Sequence, residues 1–154
     1  MNIEIKKAEL SDLDLLLKWR MTVLREVFSI PADRPTDELE RENRRYYETA
    51  LPKGAHIACF ARSGDEIVGC GGVCVYRELP SPDNPNGYCG YIMNVYTSPE
   101  YRGRGVGRKV VDWLIEQSKE RGIQKIYLEA SESGYTLYQK MGFVDMRGYM
   151  KLNE

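Results

Sequence analysis

The sequence predicts a mixed α/β domain, and three observations carry that reading. Apolar residues recur at helical spacing as far as Ala50, then with a period of two from His56 to Thr97. Beyond Thr97 the two patterns alternate. Helices first, then an antiparallel meander, then β-α-β-α-β give one mostly antiparallel, twisted sheet of about six to seven strands with helices on both faces. The 154 residues suit a single domain, 1–154, and no linker or internal repeat divides them.

Each element has its own signal. Ile3 and Ile5 alternate with Glu4 and Lys6, a short first strand. Ser11 followed by Asp14 reads as a helix start, and Leu13, Leu16, Leu17, Leu24, Val27 and Phe28 form the apolar stripe. Arg20 falls on that stripe, where a guanidinium either snorkels along its stem or lines a polar cavity. Thr36 caps a second helix whose Leu39, Asn43, Tyr46, Tyr47 and Ala50 share a face, ending before Pro52.

Ile57, Cys59 and Ala61 begin the meander, Ser63-Gly64-Asp65 turns it, and Ile67 to Tyr76 returns. Gly69, Gly71 and Gly72 mark a bulge or a close backbone approach. After a proline-rich loop, Tyr88 to Thr97 forms the next strand. Val106, Val110, Val111, Leu114 and Ile115 make the apolar face of a helix that Gly122 stops. Ile126, Leu128 and Ala130 alternate as a strand, Ser131 or Ser133 caps a short helix through Met141, and Phe143–Met146 with Tyr149–Leu152 reads as a final hairpin around Gly148.

Composition narrows the function. Twenty-two basic against 23 acidic side chains leave a net charge of −1, so no global field favours nucleic acid or an anionic membrane. The longest apolar run, Ile57 to Ala61, is far below the ~20 residues of a membrane span, and the first residues do not read as a signal peptide. Four cysteines without a C-x-x-C pair and a single histidine, His56, predict no metal site and a reduced, cytoplasmic protein. One histidine and no G-x-S-x-G disfavour a Ser-His-Asp hydrolase.

The chemistry concentrates between Thr97 and Lys109, where a strand runs through a glycine-rich turn into a helix N-terminus. Orphan N–H groups and the helix dipole at such an end attract anions. Gly103, Gly105 and Gly107 let a phosphate approach the backbone, and Arg102, Arg104, Arg108 and Lys109 cluster positive charge there. The P-loop pattern G-x-x-x-x-G-K-[ST] is absent, and G-x-G-x-G is not the Rossmann G-x-G-x-x-G.

Arg102-x-x-Gly105-x-Gly107, preceded by Asn94-Val-Tyr-Thr-Ser-Pro-Glu-Tyr, resembles the [Q/R]-x-x-G-x-[G/A] acyl-CoA signature of the GNAT superfamily of N-acetyltransferases. Leu137-Tyr138-Gln-Lys-Met-Gly142-Phe143 resembles the family's L-Y-x-x-x-G-F segment, and the element order from Ile3 to Leu152 also fits a GNAT-like fold. The resemblance implies acetyl-CoA as co-substrate, no metal, and a sheet splayed where the coenzyme binds. It implies that Val95, Tyr96 and Thr97 pair with the pantetheine arm, with the Val95 N–H on the thioester carbonyl. Backbone amides of Gly103, Arg104, Gly105, Val106, Gly107 and Arg108, with the Arg102 and Arg104 side chains, would hold the pyrophosphate. Tyr138 would sit near the sulfur and protonate the departing thiolate.

Ser131 stands where many members have an asparagine that contacts the coenzyme, and the strand before the signature offers Tyr91 and Asn94 but no carboxylate base. Glu129 and Glu26 are candidate bases acting through water. The acceptor, a small-molecule amine, amino acid or peptide or protein N-terminus, is expected between the first two helices and the loops opposite the coenzyme, where Arg20 and Arg25 could bind a carboxylate on it, which would suit an amino acid or peptide. Two functions follow: transfer of acetyl from acetyl-CoA to a primary amine by direct attack in a ternary complex, or a catalytically weak acyl-CoA-binding regulatory module. Homodimers are common in the family; no membrane or nucleic-acid partner is expected.

Overall fold

The computed structural model describes residues 2–153. Among them are five strands: β1 (Ile3–Lys7), β2 (His56–Ser63), β3 (Glu66–Arg77), β4 (Tyr88–Thr97) and β5 (Lys125–Leu128). They lie in the order β1-β2-β3-β4-β5, antiparallel except for β5, which runs parallel to β4. Parallel neighbours need a crossover, and α3 (Val106–Glu120) supplies it. Helices α1 (Leu13–Val27) and α2 (Asp37–Lys53) precede the meander, and α4 (Tyr135–Lys140) follows β5.

Strand alternation sorts the core into two layers. Ile57, Cys59, Ala61, Val68, Val73 and Ile92 pack with Val106, Val110, Val111 and Leu114 of α3. Ala58, Phe60, Cys70 and Tyr96 point the other way, onto Leu16, Leu17, Val23 and Tyr47 of α1 and α2. The four α3 residues are at most 1% exposed, and burial of such a side chain contributes about 1.5–3 kcal/mol. A methyl carbon on Gly71 would lie 2.5 Å from Val110 Cγ1, so the glycine lets α3 approach the sheet closely.

Several boundaries differ from the sequence reading. The α1 start is set by a 3-10 turn, Leu10–Asp12, in which the Glu9 N–H donates to the Asp12 carboxylate at 2.8 Å. Helix α2 continues through Pro52 and ends at Gly54, whose φ of 71° terminates it. Pro52, in the last turn, leaves one helix hydrogen bond unmade. The β5 strand ends at Leu128, before Ala130.

The expected final hairpin does not form, so the sheet has fewer strands than expected. Runs as short as Phe143–Met146 and Tyr149–Leu152 make a marginal hairpin, and side-chain bonds hold the segment elsewhere: Tyr135 donates to Asp145, and Lys125 Nζ to Tyr149 Oη at 2.8 Å. Val144, Met150 and Leu152 stay exposed. A groove of about 740 Å³ lies between α3, β5, α4 and this segment.

Candidate functional site

The site is built where β4 leaves the sheet. Strand β5 pairs with β4 only from Cys89↔Lys125 to Ile92↔Leu128, so residues 93–97 of β4 face no strand on that side. On the other side the register with β3 jumps from Gly72↔Met93 to Cys70↔Tyr96. Asn94 and Val95 therefore oppose Gly71 alone, a β-bulge that bends the strand and re-aims its side chains.

After β4, a 3-10 turn at Pro99–Tyr101 leads into the glycine turn. Gly103 and Gly105 have φ of 76° and 82°, conformations that other residues resist, and a Cβ on either would meet nothing within 4 Å. Gly105 is the N-cap of α3 and provides no side-chain cap. Among the described residues, the N–H groups of Gly103, Gly105, Val106, Gly107 and Arg108 have no acceptor. Orphan donors, a helix N-terminus and open space in front of them fit a diphosphate, and the open β4 edge fits an extended amide-bearing arm.

The basic side chains are less free than the sequence suggests. Arg102 donates from Nε to the Thr97 carbonyl at 2.9 Å and from Nη2 to Glu26 at 2.8 Å, and its guanidinium lies 5.3 Å from the Tyr96 ring centre. Glu26, at the end of α1, also accepts from Tyr96 Oη at 3.3 Å. Arg104 lies over the Tyr101 ring and Arg108 pairs with Asp112 at 3.8 Å. The Ser131 hydroxyl accepts the Gly134 N–H at 3.1 Å, so it caps the turn into α4.

Tyr138 of α4 is half-buried against Phe143, with ring centres 5.9 Å apart, and packs on the same core layer as Val95. Its hydroxyl has no hydrogen-bond partner among the described residues. Burial raises its pKa above the ordinary 10.0, so the phenol keeps its proton at neutral pH.

The opposite face of the sheet carries a second polar cluster. Arg20 turns inward from α1 and donates from Nε to Asn43 Oδ1 at 3.1 Å and from Nη1 to Asn94 Oδ1 at 3.0 Å. The guanidinium thus turns inward onto two side-chain amides instead of snorkelling out to solvent. Arg25 donates to the Pro31 carbonyl and to Thr36 Oγ1, holding the α1–α2 loop. Tyr46 Oη sits 2.8 Å from His56 Nδ1 and donates to Cys74 Sγ at 3.2 Å.

Burial, reinforced by the Arg20 charge, lowers the His56 pKa from 6.5 to about 4. The unfolded chain then takes up a proton near pH 6.5 that the folded protein refuses until about pH 4. Stability is therefore full above pH 6.5 and falls as pH drops through that window, by up to about 3 kcal/mol. Urea unfolding at pH 7 and pH 4.5 should show the loss, and His56→Gln should flatten this part of the profile. An equally steep profile in that variant would assign it to other groups.

The Glu26–Arg102 contact escaped the sequence reading because the partners lie 76 residues apart. Asn43 left a faint signal: it is an amide on an otherwise apolar helix face, as Arg20 is a charge on one.

Comparisons with known proteins place the chain among acetyltransferases. The model of the acetyltransferase (GNAT) family matches residues 21–143. A glucosamine 6-phosphate N-acetyltransferase of Trypanosoma brucei brucei is 36% identical over 64 residues, covering 42% of this chain and 44% of that protein, so the alignment spans less than half the relative's length. The Arabidopsis thaliana enzyme of the same name is 27% identical over 105 residues, covering 67% and 68%. The crystal structure of a predicted acetyltransferase with acetyl-CoA from Clostridium acetobutylicum superposes with a TM-score of 0.87 at 30% identity, covering 99% of this chain and 96% of that one. With the matched segment running from α1 through the glycine turn to the Gly142-Phe143 pair, the chain belongs to the acetyltransferase (GNAT) family.

Proposed function

We propose that the protein is an acyl-CoA-dependent N-acetyltransferase that transfers acetyl from acetyl-CoA to a primary amine by direct attack in a ternary complex. The observation that carries this reading is the alignment of an open β4 edge with a glycine turn whose N–H groups lack acceptors. Acetyl-CoA supplies an activated acetyl thioester. Residues Val95 to Thr97 hold its pantetheine arm as an added strand would, and the amides from Gly103 to Arg108 hold its pyrophosphate. Arg104 adds charge there, while Arg102 braces the turn through Thr97 and Glu26 and lends the rest of its charge to the site. Ser131 shapes the α4 turn that brings Tyr138 to the site.

The Val95 N–H donates to the carbonyl oxygen as charge develops on it, a contact of the kind worth about 10²–10³ in rate. As the C–N bond forms and the C–S bond breaks, Tyr138, kept protonated by burial, gives its proton to the departing sulfur, and the amine nitrogen releases a proton to solvent water. No enzyme nucleophile is needed, and holding the amine against the carbonyl supplies much of the acceleration. The acceptor lies on the α1–α2 face. Arg20 Nη2 has no hydrogen-bond partner among the described residues, which suits a carboxylate on the acceptor. Arg25 supports that wall by fixing the loop at its rim.

Thiol release from acetyl-CoA in the presence of an amine series tests the reading. Turnover with at least one amine, favouring those that also carry a carboxylate, is the expected result. Stabilisation by the coenzyme with no turnover across the series would contradict it and leave a binding module.

A further inference from the structure

Among the described residues only Ser29 and Asn94 hold a positive φ without being glycine, and only Asn94 lies in the sheet, at 61°. That conformation strains an L residue, asparagine less than others, and it persists where the surroundings hold it. Three contacts hold it here. Arg20 Nη1 donates to Asn94 Oδ1 at 3.0 Å, the Cys70 thiol donates to the Asn94 carbonyl at 3.5 Å, and Asn94 Nδ2 approaches Cys70 Sγ at 3.9 Å. Arg20 is itself fixed from behind. Its Nε donates to Asn43 Oδ1, and Asn43 Nδ2 donates to the Leu39 carbonyl at 2.8 Å. One guanidinium thus ties α1 and α2 to the bulge of β4.

No carboxylate among the described residues forms an ion pair with Arg20, so its two bonds to amide oxygens do not serve neutralisation. Their geometry is what the planar fork provides: two donors held at a fixed angle, which the single ammonium of a lysine does not reproduce. Asn94 directly precedes Val95, so its backbone angles set where the Val95 N–H points.

We propose that Arg20 is a positioning residue: it holds Asn94 in the left-handed conformation and so aims the Val95 N–H into the gap between β4 and β5. The packing of the acceptor-side helices then sets the geometry of the coenzyme-side donor. The catalytic consequence rests on the proposed function, through the role given to Val95; the clamp itself does not.

Two measurements separate these parts. In ¹⁵N,¹³C-labelled protein, the Asn94 Cα and Cβ shifts and its HN–Hα coupling report the sign of φ. Arg20→Lys and Arg20→Ala should lose the positive-φ signature at Asn94 while the amides of α3 stay in place. With the best acceptor of the amine series, both variants should lose about tenfold or more in kcat while acetyl-CoA affinity stays within about twofold. Asn94→Gly in the Arg20→Ala background should recover part of kcat, because glycine adopts positive φ unaided; a role confined to gripping the acceptor would give no such rescue. Retention of the positive φ in both Arg20 variants would overturn the clamp, and absence of rescue would overturn its catalytic consequence. Loss of the positive φ with kcat unchanged would instead overturn the assignment of Val95 in the proposed function, and with it the catalytic half of this inference.

Discussion

Gly105→Asp is expected to weaken coenzyme binding at least ~100-fold while leaving the protein folded. Position 105 has a φ of 82° and open space where a Cβ would go, so the fold meets no clash. Asparagine and aspartate tolerate this conformation better than other side chains, and the strain is about 1–2 kcal/mol. The carboxylate would stand in front of the N–H groups that open α3 and place negative charge where the pyrophosphate binds. Hydrogen bonds to charged groups contribute about 1.5–3 kcal/mol each, so losing even two raises the dissociation constant at least ~100-fold. Thermal unfolding gives the readout. The parent should gain about 2.7 kcal/mol of stability with coenzyme at 100 times its dissociation constant, and the variant should gain no more than about 0.4 kcal/mol at that concentration. An undiminished gain would remove the glycine turn from the binding site.

Tyr138→Phe is expected to lower kcat about 100-fold with coenzyme affinity nearly unchanged, within the range of general-acid contributions. The packing against Phe143 survives this change, since only the hydroxyl is removed. Because that hydroxyl has no partner among the described residues, its removal leaves no group newly unsatisfied there, and stability should stay within about 0.5 kcal/mol. The raised pKa keeps the phenol protonated at pH 7 and pH 9 alike, so the defect should be similar at both. Single-turnover rates at the two pH values give the comparison. Equal rates in parent and variant would show that the thiolate leaves without help from this residue.

What the sequence made legible follows from the range of the interactions involved. The strands from His56 to Thr97 and the face of α3 were readable because short apolar runs bounded by turn residues, and 3.6-residue spacing, record burial locally. The glycine turn was readable for the same reason, since positive φ, helix N-terminus and basic residues are consecutive. Polar pairings were not. The Thr36 hydroxyl, expected as the α2 cap, accepts from Arg25 instead, and Arg102 reaches back to Glu26 on α1. Such contacts depend on which elements the fold makes neighbours, and no local pattern encodes them. The C-terminal segment failed for a different reason: a period of two over four residues specifies little, and the bonds from Tyr135 and Lys125 decide its course.

The central claim is that the opened edge of β4 and the turn before α3 together form the coenzyme site. Amide chemical shifts followed during titration with coenzyme A test it most directly. The largest changes should fall on residues 95–97 and 103–108, saturating together. Saturation with those amides unmoved, or with the changes confined to the groove along β5 and the C-terminal segment, would contradict it.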